Sequence, residues 1–408
     1  MTTVDDRARV LAERFPLGAS LRLAELERFD NATVLARLRE NEPVTWFAEQ
    51  GLWLVTPKSL VDEVHNSPDR FVVDVPGNPQ RIVLGEMMLG VDGEKHRRHR
   101  APFAGPFRLS TVRERFTGVI ADNVERLLSA IERDGHAELG AAYANPFAVT
   151  VASDILGLGF EHVDEVHHIY TDFAQGLVGY QDQDALARAM EARERLQRFL
   201  MEGIDRLRAT PDESTLSAVI HAPDGVRLQE EELFANLRVI LFGAIETVES
   251  MILNTTWALL HHPEQHRAVL QDPALWPAAV QEGLRWVPPV GYSDRWAAFD
   301  TELGGVAISR GDYLLPVFHA ANRDPAAFAD PDRFDVHRGD DRTNLSFGKG
   351  IHMCLGVNLA RLQGQMALRA LFERLPGLRL DPERPSEPEG FNFRRPAHLH
   401  VRWDAQQR

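Results

Sequence analysis

The sequence predicts a mainly α-helical fold with small β-sheets, an α+β class. Long stretches repeat apolar residues at spacings of three and four, as helices with one buried face do. Strand-like runs are few and short, and they lie beside glycine-containing turns. There is no Ser/Gly linker, internal repeat or low-complexity tract, so residues 1–408 are expected to form a single domain. With 44% hydrophobic and 26% charged residues, the chain can bury a large core.

In chain order, the run GLWLVT at 51–56 reads as a strand, and helical spacing follows near 112–134 and 184–208. The next segment, 230–262, is about 50 Å of helix at about 1.5 Å per residue, enough to cross the core. Glu230, Glu231 and Glu232 suit its positive N-terminus, and Pro263 stops it. Leu233, Leu237, Ile240, Leu241, Val248, Ile252 and Leu259 supply its apolar face. The pattern breaks in the middle, where Gly243 and Ala244 are small and Glu246 and Thr247 polar; close packing on a crossing helix and a functional groove both fit. A helix is expected over 264–286, strands over 306–308 and 313–317 joined through Gly304-Gly305 and Arg310-Gly311, and a final amphipathic helix over 357–375.

A formal charge of −15 disfavours nucleic acid and anionic membranes as partners. No run reaches the roughly 18 apolar residues of a membrane span, and the acidic start MTTVDDRARVLAERF does not read as a signal peptide, so a cytoplasmic location is expected. A single cysteine, Cys354, excludes an intramolecular disulfide. It is a small core residue, a nucleophile or a metal ligand.

Cys354 follows a glycine-loosened run, Phe347-Gly348-Lys349-Gly350-Ile351-His352-Met353, and precedes Leu355-Gly356 and the last helix. Its position at a helix N-terminus predicts a thiolate, and the glycines let backbone approach a flat ligand. The run matches F-G-x-G-x-H-x-C-x-G at every fixed position and so resembles the cysteine loop of the cytochrome P450 family. That resemblance implies haem b (iron protoporphyrin IX) between the long central helix and the cysteine-loop helix. Phe347, Gly348, Cys354 and Gly356 would lie against the haem, with Cys354 on the iron.

Three further elements resemble the family in the same order. Asp92 to Arg100 (DGEKHRRHR) puts His96 and Arg100 on one helix face; with Arg295 and His352 they match positions that hold the haem propionates. Gly243-Ala244-Ile245-Glu246-Thr247 resembles the oxygen-binding A/G-G-x-D/E-T, with Ala244 where glycine is usual. By that resemblance Thr247 would hydrogen-bond dioxygen or a water beside it, and Glu246 would help feed protons. A threonine hydroxyl bonded back to the Gly243 carbonyl is the alternative reading. Glu282 and Arg285 match E-x-x-R, expected to form a structural ion-pair network with Arg333.

The implied activity is insertion of one oxygen atom from O2 into a small, mostly apolar organic substrate, by hydroxylation or O/N-dealkylation. The sequence carries no flavin, nicotinamide or iron–sulfur fingerprint, so a separate partner must deliver electrons; the resemblance to the soluble bacterial class implies a ferredoxin and ferredoxin reductase, docking near Lys349 and Arg361 of a monomer. Family positions suggest a substrate pocket from Val83, Met87, Phe173, Leu177, Gly243, Val290, Tyr292, Phe391 and Phe393. The same site also fits peroxide-driven oxidation, coupling or desaturation, or a haem protein without catalysis. A cysteine hydrolase is disfavoured, because His352 lies two residues away along a loop.

Overall fold

In the computed structural model, residues 4–159, 163–179, 182–223, 227–339 and 344–405 are described. The element that organises them is the central helix, Glu230–His261, which opens with a capping box between Gln229 and Glu232 and three carboxylates in its first turn. Leu237, Leu241, Ile245, Ile252 and Leu259 are fully buried, but so are Asn236, Arg238, Glu249 and Asn254. A helix buried on nearly every side belongs to the middle of a large core. It packs against the helices Asn145–Leu156, Trp276–Trp286 and Val357–Arg374.

Four of the expected helices form as single elements: Leu109–Ile131, Gln183–Ala209, the central helix, and Val357–Arg374. The helix expected over 264–286 is instead two helices, Pro263–Gln271 and Trp276–Trp286, separated by a turn at Pro273–Leu275. Pro273 has no N–H for the first ladder and pushes Asp272 out of helical geometry (φ −126°, ψ 94°). The freed Asp272 carboxylate then caps the Ala274 N–H at 3.0 Å.

Ten short strands complete the described fold: β1 Val44–Phe47, β2 Leu52–Val55, β3 Phe71–Val72, β4 His136–Glu138, β5 Arg295–Ala297, β6 Thr301–Leu303, β7 Val306–Ile308, β8 Tyr313–Pro316, β9 Arg379–Leu380 and β10 His400–Arg402. The largest sheet has the order β1-β2-β8-β5-β3. β1 and β2 form a hairpin with Trp46 opposite Trp53; β2 runs parallel to β8, and β5 antiparallel to it with Arg295 opposite Leu314. Gly304 and Gly305, both at positive φ, make the two-residue turn between β6 and β7. The sheet has its own apolar core around Trp53, Val55 and Leu314, and delivers Arg295 to the edge of the helical body.

Candidate active site

A cavity separates the middle of the central helix from the cysteine loop. Gly243, Ala244, Thr247 and Val248 form one wall, and Phe347, Gly348, Cys354 and Gly356 the other. Gly243 faces open space: a Cβ there would meet nothing within 4 Å. The helix runs unbroken through Ala244, and the Thr247 hydroxyl donates to the Gly243 carbonyl four residues back. The back-bonded reading of Thr247 is therefore the one observed, with the residue still lining the cavity.

The cysteine loop is shaped by glycine. Gly348 (φ +66°) and Gly350 (φ +71°) take left-handed conformations, and at Gly350 a Cβ would lie 2.3 Å from the His65 carbonyl oxygen. A 3-10 turn follows at Gly350–His352, the Cys354 N–H donates to the Phe347 carbonyl at 2.8 Å, and the helix starts only at Val357 with Gly356 as its cap. Cys354 thus stands three residues ahead of the helix. Burial pushes its thiol up, outweighing the Gly356 amide and the Arg100 charge. This corrects the expectation that the helix terminus alone secures a thiolate; a coordinating metal removes that proton outright.

At one end of the cavity, donors converge that the protein leaves unanswered. His96 Nε2, Arg100 Nη1 and His352 Nδ1 are buried without a hydrogen-bond partner. Their other atoms are fixed: His352 Nε2 lies 3.0 Å from Asp92 Oδ1, and Arg100 Nη2 donates to the Met353 carbonyl at 2.7 Å. Arg295 Nη1 donates to the Asp294 carbonyl at 2.6 Å. The His96 and His352 rings meet edge to face at 4.5 Å. Arg100, Arg295 and His352 line the cavity; His96 does not, and reaches it only through its ring contact with His352. Burial lowers the proton affinity of all four, His96 to about 4 and Arg295 to about 10. Such a cluster of desolvated nitrogen donors, its two guanidiniums charged and three of its nitrogens unpartnered, is built for an anionic ligand. Together with the soft Cys354 sulfur and the open face at Gly243, it fits a flat metal-bearing group with carboxylates on one edge.

The cytochrome P450 family model matches residues 43–393. The chain belongs to the cytochrome P450 family. It is 35% identical over 367 residues to 6-deoxyerythronolide B hydroxylase of Saccharopolyspora erythraea, covering 85% of this chain and 88% of that one. It is also 35% identical to the cytochrome P450 monooxygenase PikC of Streptomyces venezuelae, covering 81% and 79%. Among solved structures, P450BioI in complex with a fatty-acid-ligated acyl carrier protein superposes with a TM-score of 0.85 at 28% identity, covering 92% of this chain and 98% of that one. The protein is a P450 monooxygenase, and haem b is the family's cofactor. No helix among the described residues is long and apolar enough to cross a membrane.

Glu246 is not on this P450's cavity wall. It points behind Thr247 into a buried ion cluster, with its Oε1 3.3 Å from Arg395 Nε. Arg395 also pairs with Glu249, which accepts from Asn145 Nδ2 at 3.2 Å and lies 3.5 Å from His167 Nε2. Burial pushes Glu246 up. Glu249 is drawn down: burial opposes this, but His167, Arg395 and Asn145 outweigh it. Sequence reasoning missed Glu249, Arg395 and His167; only Glu249 had a signal, one helical turn beyond Glu246.

The structural network also departs from expectation. Glu282 and Arg285 do form a buried bidentate pair, at 2.7 and 2.8 Å. The third side chain is not Arg333, which is 64% exposed and gives only its carbonyl to Arg285 at 3.0 Å. Arg338 takes that place, 11% exposed and 3.3 Å from Glu282 Oε1. The turn at Asp330–Arg333 directs the Arg333 side chain outward, and Arg338 reaches back under it to the Asp330 and Arg333 carbonyls.

Of the expected pocket residues, Gly243, Val290 and Tyr292 line the cavity. Met88 and Leu89 line it in place of Val83 and Met87, which are fully buried in the core. Phe173 packs on Tyr170, Phe391 on Tyr292 and Phe393 on Phe242, while Leu177 lies in the core; none of these four reaches the cavity. A polar stretch that sequence reasoning missed, Asn78, Gln80, Ser293 and Asp294, also lines it. His65 joins that side, its Nε2 3.0 Å from Ser293 Oγ, with burial lowering it to about 3.

Proposed function

We propose that this P450 inserts one oxygen atom from O2 into a small, mostly apolar organic molecule. Cys354 ligates the haem iron, and a ferredoxin with its reductase supplies electrons. The observation that carries the reading is the alignment of Cys354 with Thr247 across one cavity whose far end holds unpartnered donors. Haem b, when bound, supplies the oxygen-activating chemistry. His96, Arg100, Arg295 and His352 hold its carboxylates, and Phe347, Gly348 and Gly356 pack against it on the cysteine side. Ala244 and Gly243 leave room on the other face. Thr247 positions water or dioxygen there, and Glu246 supplies a proton from behind.

The substrate class rests on the apolar lining of Met88, Leu89, Val239, Ile240, Val290 and Phe318. The names of relatives such as vitamin D(3) 25-hydroxylase, 33% identical, and pentalenic acid synthase, 33% identical, support a hydrophobic multi-carbon skeleton. Ile351 and Met353, 40% and 42% exposed on the cysteine side, offer an apolar centre for ferredoxin docking. Lys349, 2.9 Å from Asp62, and Arg361, stacked on Phe347, rim that patch as partly engaged charges. With walls drawn from His65 through Gln363, the site needs the chain to act as one unit, here in the cytoplasm.

The test is absorbance of the reduced protein under carbon monoxide, beside Cys354→His. A strongly red-shifted Soret band in the parent, lost in the variant, fixes Cys354 as ligand. A haem-free or unshifted parent, expressed with ample haem, overturns the reading.

A further inference from the structure

Behind Thr247, two carboxylates and one guanidinium are buried together, and the cluster reaches the surface at His167. Glu246 and Glu249, 4% and 1% exposed, sit one turn apart on the central helix, so both point the same way. Arg395, 22% exposed, spans them. His167, on the helix Val163–Val178, has a side chain 29% exposed and turns Nε2 inward to Glu249 at 3.5 Å, the outer edge of a hydrogen bond. That atom is itself buried and has no closer partner.

We propose that His167 and Glu249 are the solvent-side arm through which protons reach Glu246, with Arg395 holding the two carboxylates side by side. The proposal rests on the reading of Glu246 and Thr247 as the proton-donating pair. An imidazole charged by bulk water gives its Nε2 proton to Glu249. Glu249 passes it to Glu246, which gives it to a water at the Thr247 side of the cavity and returns to carboxylate. Each step breaks one N–H or O–H bond and forms one O–H bond, and no electron moves. Arg395 cannot release a proton and acts as a positioning residue.

Two features favour this route. Charge balance accommodates it: with Arg395 charged, the two carboxylates leave one uncompensated negative charge in a buried place, which a proton or a charged His167 would neutralise. The direction is inward, because the inner carboxyl is the one whose proton affinity burial raises, whereas the outer is held ionised by its partners. The groups facing His167 are Glu249 and Glu246 from the central helix, Arg395 from the C-terminal segment, and its neighbour His168, ring centroids 6.2 Å apart.

The test uses haem-loaded full-length protein with a plant-type ferredoxin and its reductase as the electron source, comparing His167→Gln, Glu249→Gln and the double variant. Dioxygen consumption is expected to fall by about tenfold or more in each single variant. Its solvent deuterium isotope effect should grow, and the double variant should be no slower than Glu249→Gln. Apart from turnover, the His167 Cε1–H resonance should move at fixed pH in Glu249→Gln, where its 3.5 Å partner is changed. Rates within twofold of the parent, additive losses in the double variant, or an unmoved His167 resonance overturns the proposal. Should Glu249→Gln fail to fold, Glu249→Asp takes its place, with partial recovery expected. The carbon monoxide band must persist in every variant; its absence from the parent points to failure of the haem-thiolate reading instead.

Discussion

The two walls of the cavity solve opposite electrostatic problems. On the central-helix side, Glu246, Glu249, Arg395 and Asn145 answer one another within the protein. On the cysteine-loop side, His96, Arg100 and His352 each keep one buried nitrogen without a partner. The first arrangement is paired mostly within the protein, with His167 Nε2 left over at its outer edge; the second leaves buried nitrogens free for the anionic ligand proposed above. Removing a charge should therefore cost stability on the helix side and ligand affinity on the loop side.

The largest effect is expected at Arg395. Arg395→Leu strands two buried carboxylates, and losing one partner of a buried ion pair costs about 3–5 kcal/mol. Urea unfolding of the haem-loaded protein measures this, and adding Glu246→Gln with Glu249→Gln should recover much of it. An unchanged midpoint for Arg395→Leu would mean that the helix-side cluster is not self-satisfied, and the contrast between the walls fails.

On the loop side, if Arg100 holds a haem carboxylate as proposed, Arg100→Leu removes a charged hydrogen bond to the ligand, worth about 1.5–3 kcal/mol. Haem dissociation, followed by transfer to an apo-globin acceptor, should quicken by about tenfold to 150-fold at that magnitude. Unfolding of the haem-free chain should change little, because Arg100 gives the fold only its bond to the Met353 carbonyl. A destabilised haem-free chain with unaltered haem retention would reverse the assignment.

The same contrast predicts a difference with pH. His96 is held at about 4 and His65 at about 3, both mainly by burial, against an ordinary 6.5. A base whose proton affinity is lowered by folding binds fewer protons folded than unfolded. The haem-free protein therefore loses stability as pH falls from 6.5 towards these values. His96→Gln should flatten that slope by up to about 1.4 kcal/mol per pH unit, one proton's worth. With the haem carboxylates held beside His96 as proposed, its charged form would be favoured, so the same substitution should matter less in the haem-loaded protein. Equal slopes in both forms would remove His96 from the ligand-holding set.

What the sequence disclosed follows the same division. The cysteine loop is local: ten consecutive residues carry the candidate ligand sulfur, the glycines that bend the backbone and one donor, so Phe347 to Gly356 could be read directly. His96 and Arg100 share a helix face and were readable by spacing. The helix-side cluster joins residues 145, 167, 246, 249 and 395, and apart from the helical turn between Glu246 and Glu249 no period links them. The cavity lining failed for a related reason. Which of Met87 and Met88 faces inward depends on how the loop after the short helix Pro79–Leu84 turns at Gly85 (φ +94°) and on the Asn236 side chain that takes the Met88 N–H at 3.0 Å. The break at Asp272-Pro273 was visible as a proline, but apolar spacing ran across it.

The smallest effect separates two arginines that motif reading could not. Arg333 lies in the expected Pro331-Asp332-Arg333-Phe334 run, yet its side chain is mostly in solvent, and the nearest acid, Asp335, is 3.9 Å away. The atom that serves Arg285 is its carbonyl, which any residue supplies. Arg333→Ala should thus shift unfolding by no more than about 0.5 kcal/mol, as exposed substitutions do. Arg338 is a different case: it bonds Glu282 and ties down the carbonyls of residues 330 and 333. Arg338→Ala leaves one Glu282 oxygen with less compensation and frees that turn, at a cost of about 1–3 kcal/mol. Denaturant midpoints of the two variants give the order directly. If Arg333→Ala proves the more damaging, the network is closed through Arg333 in solution, and Arg338 only packs beside it.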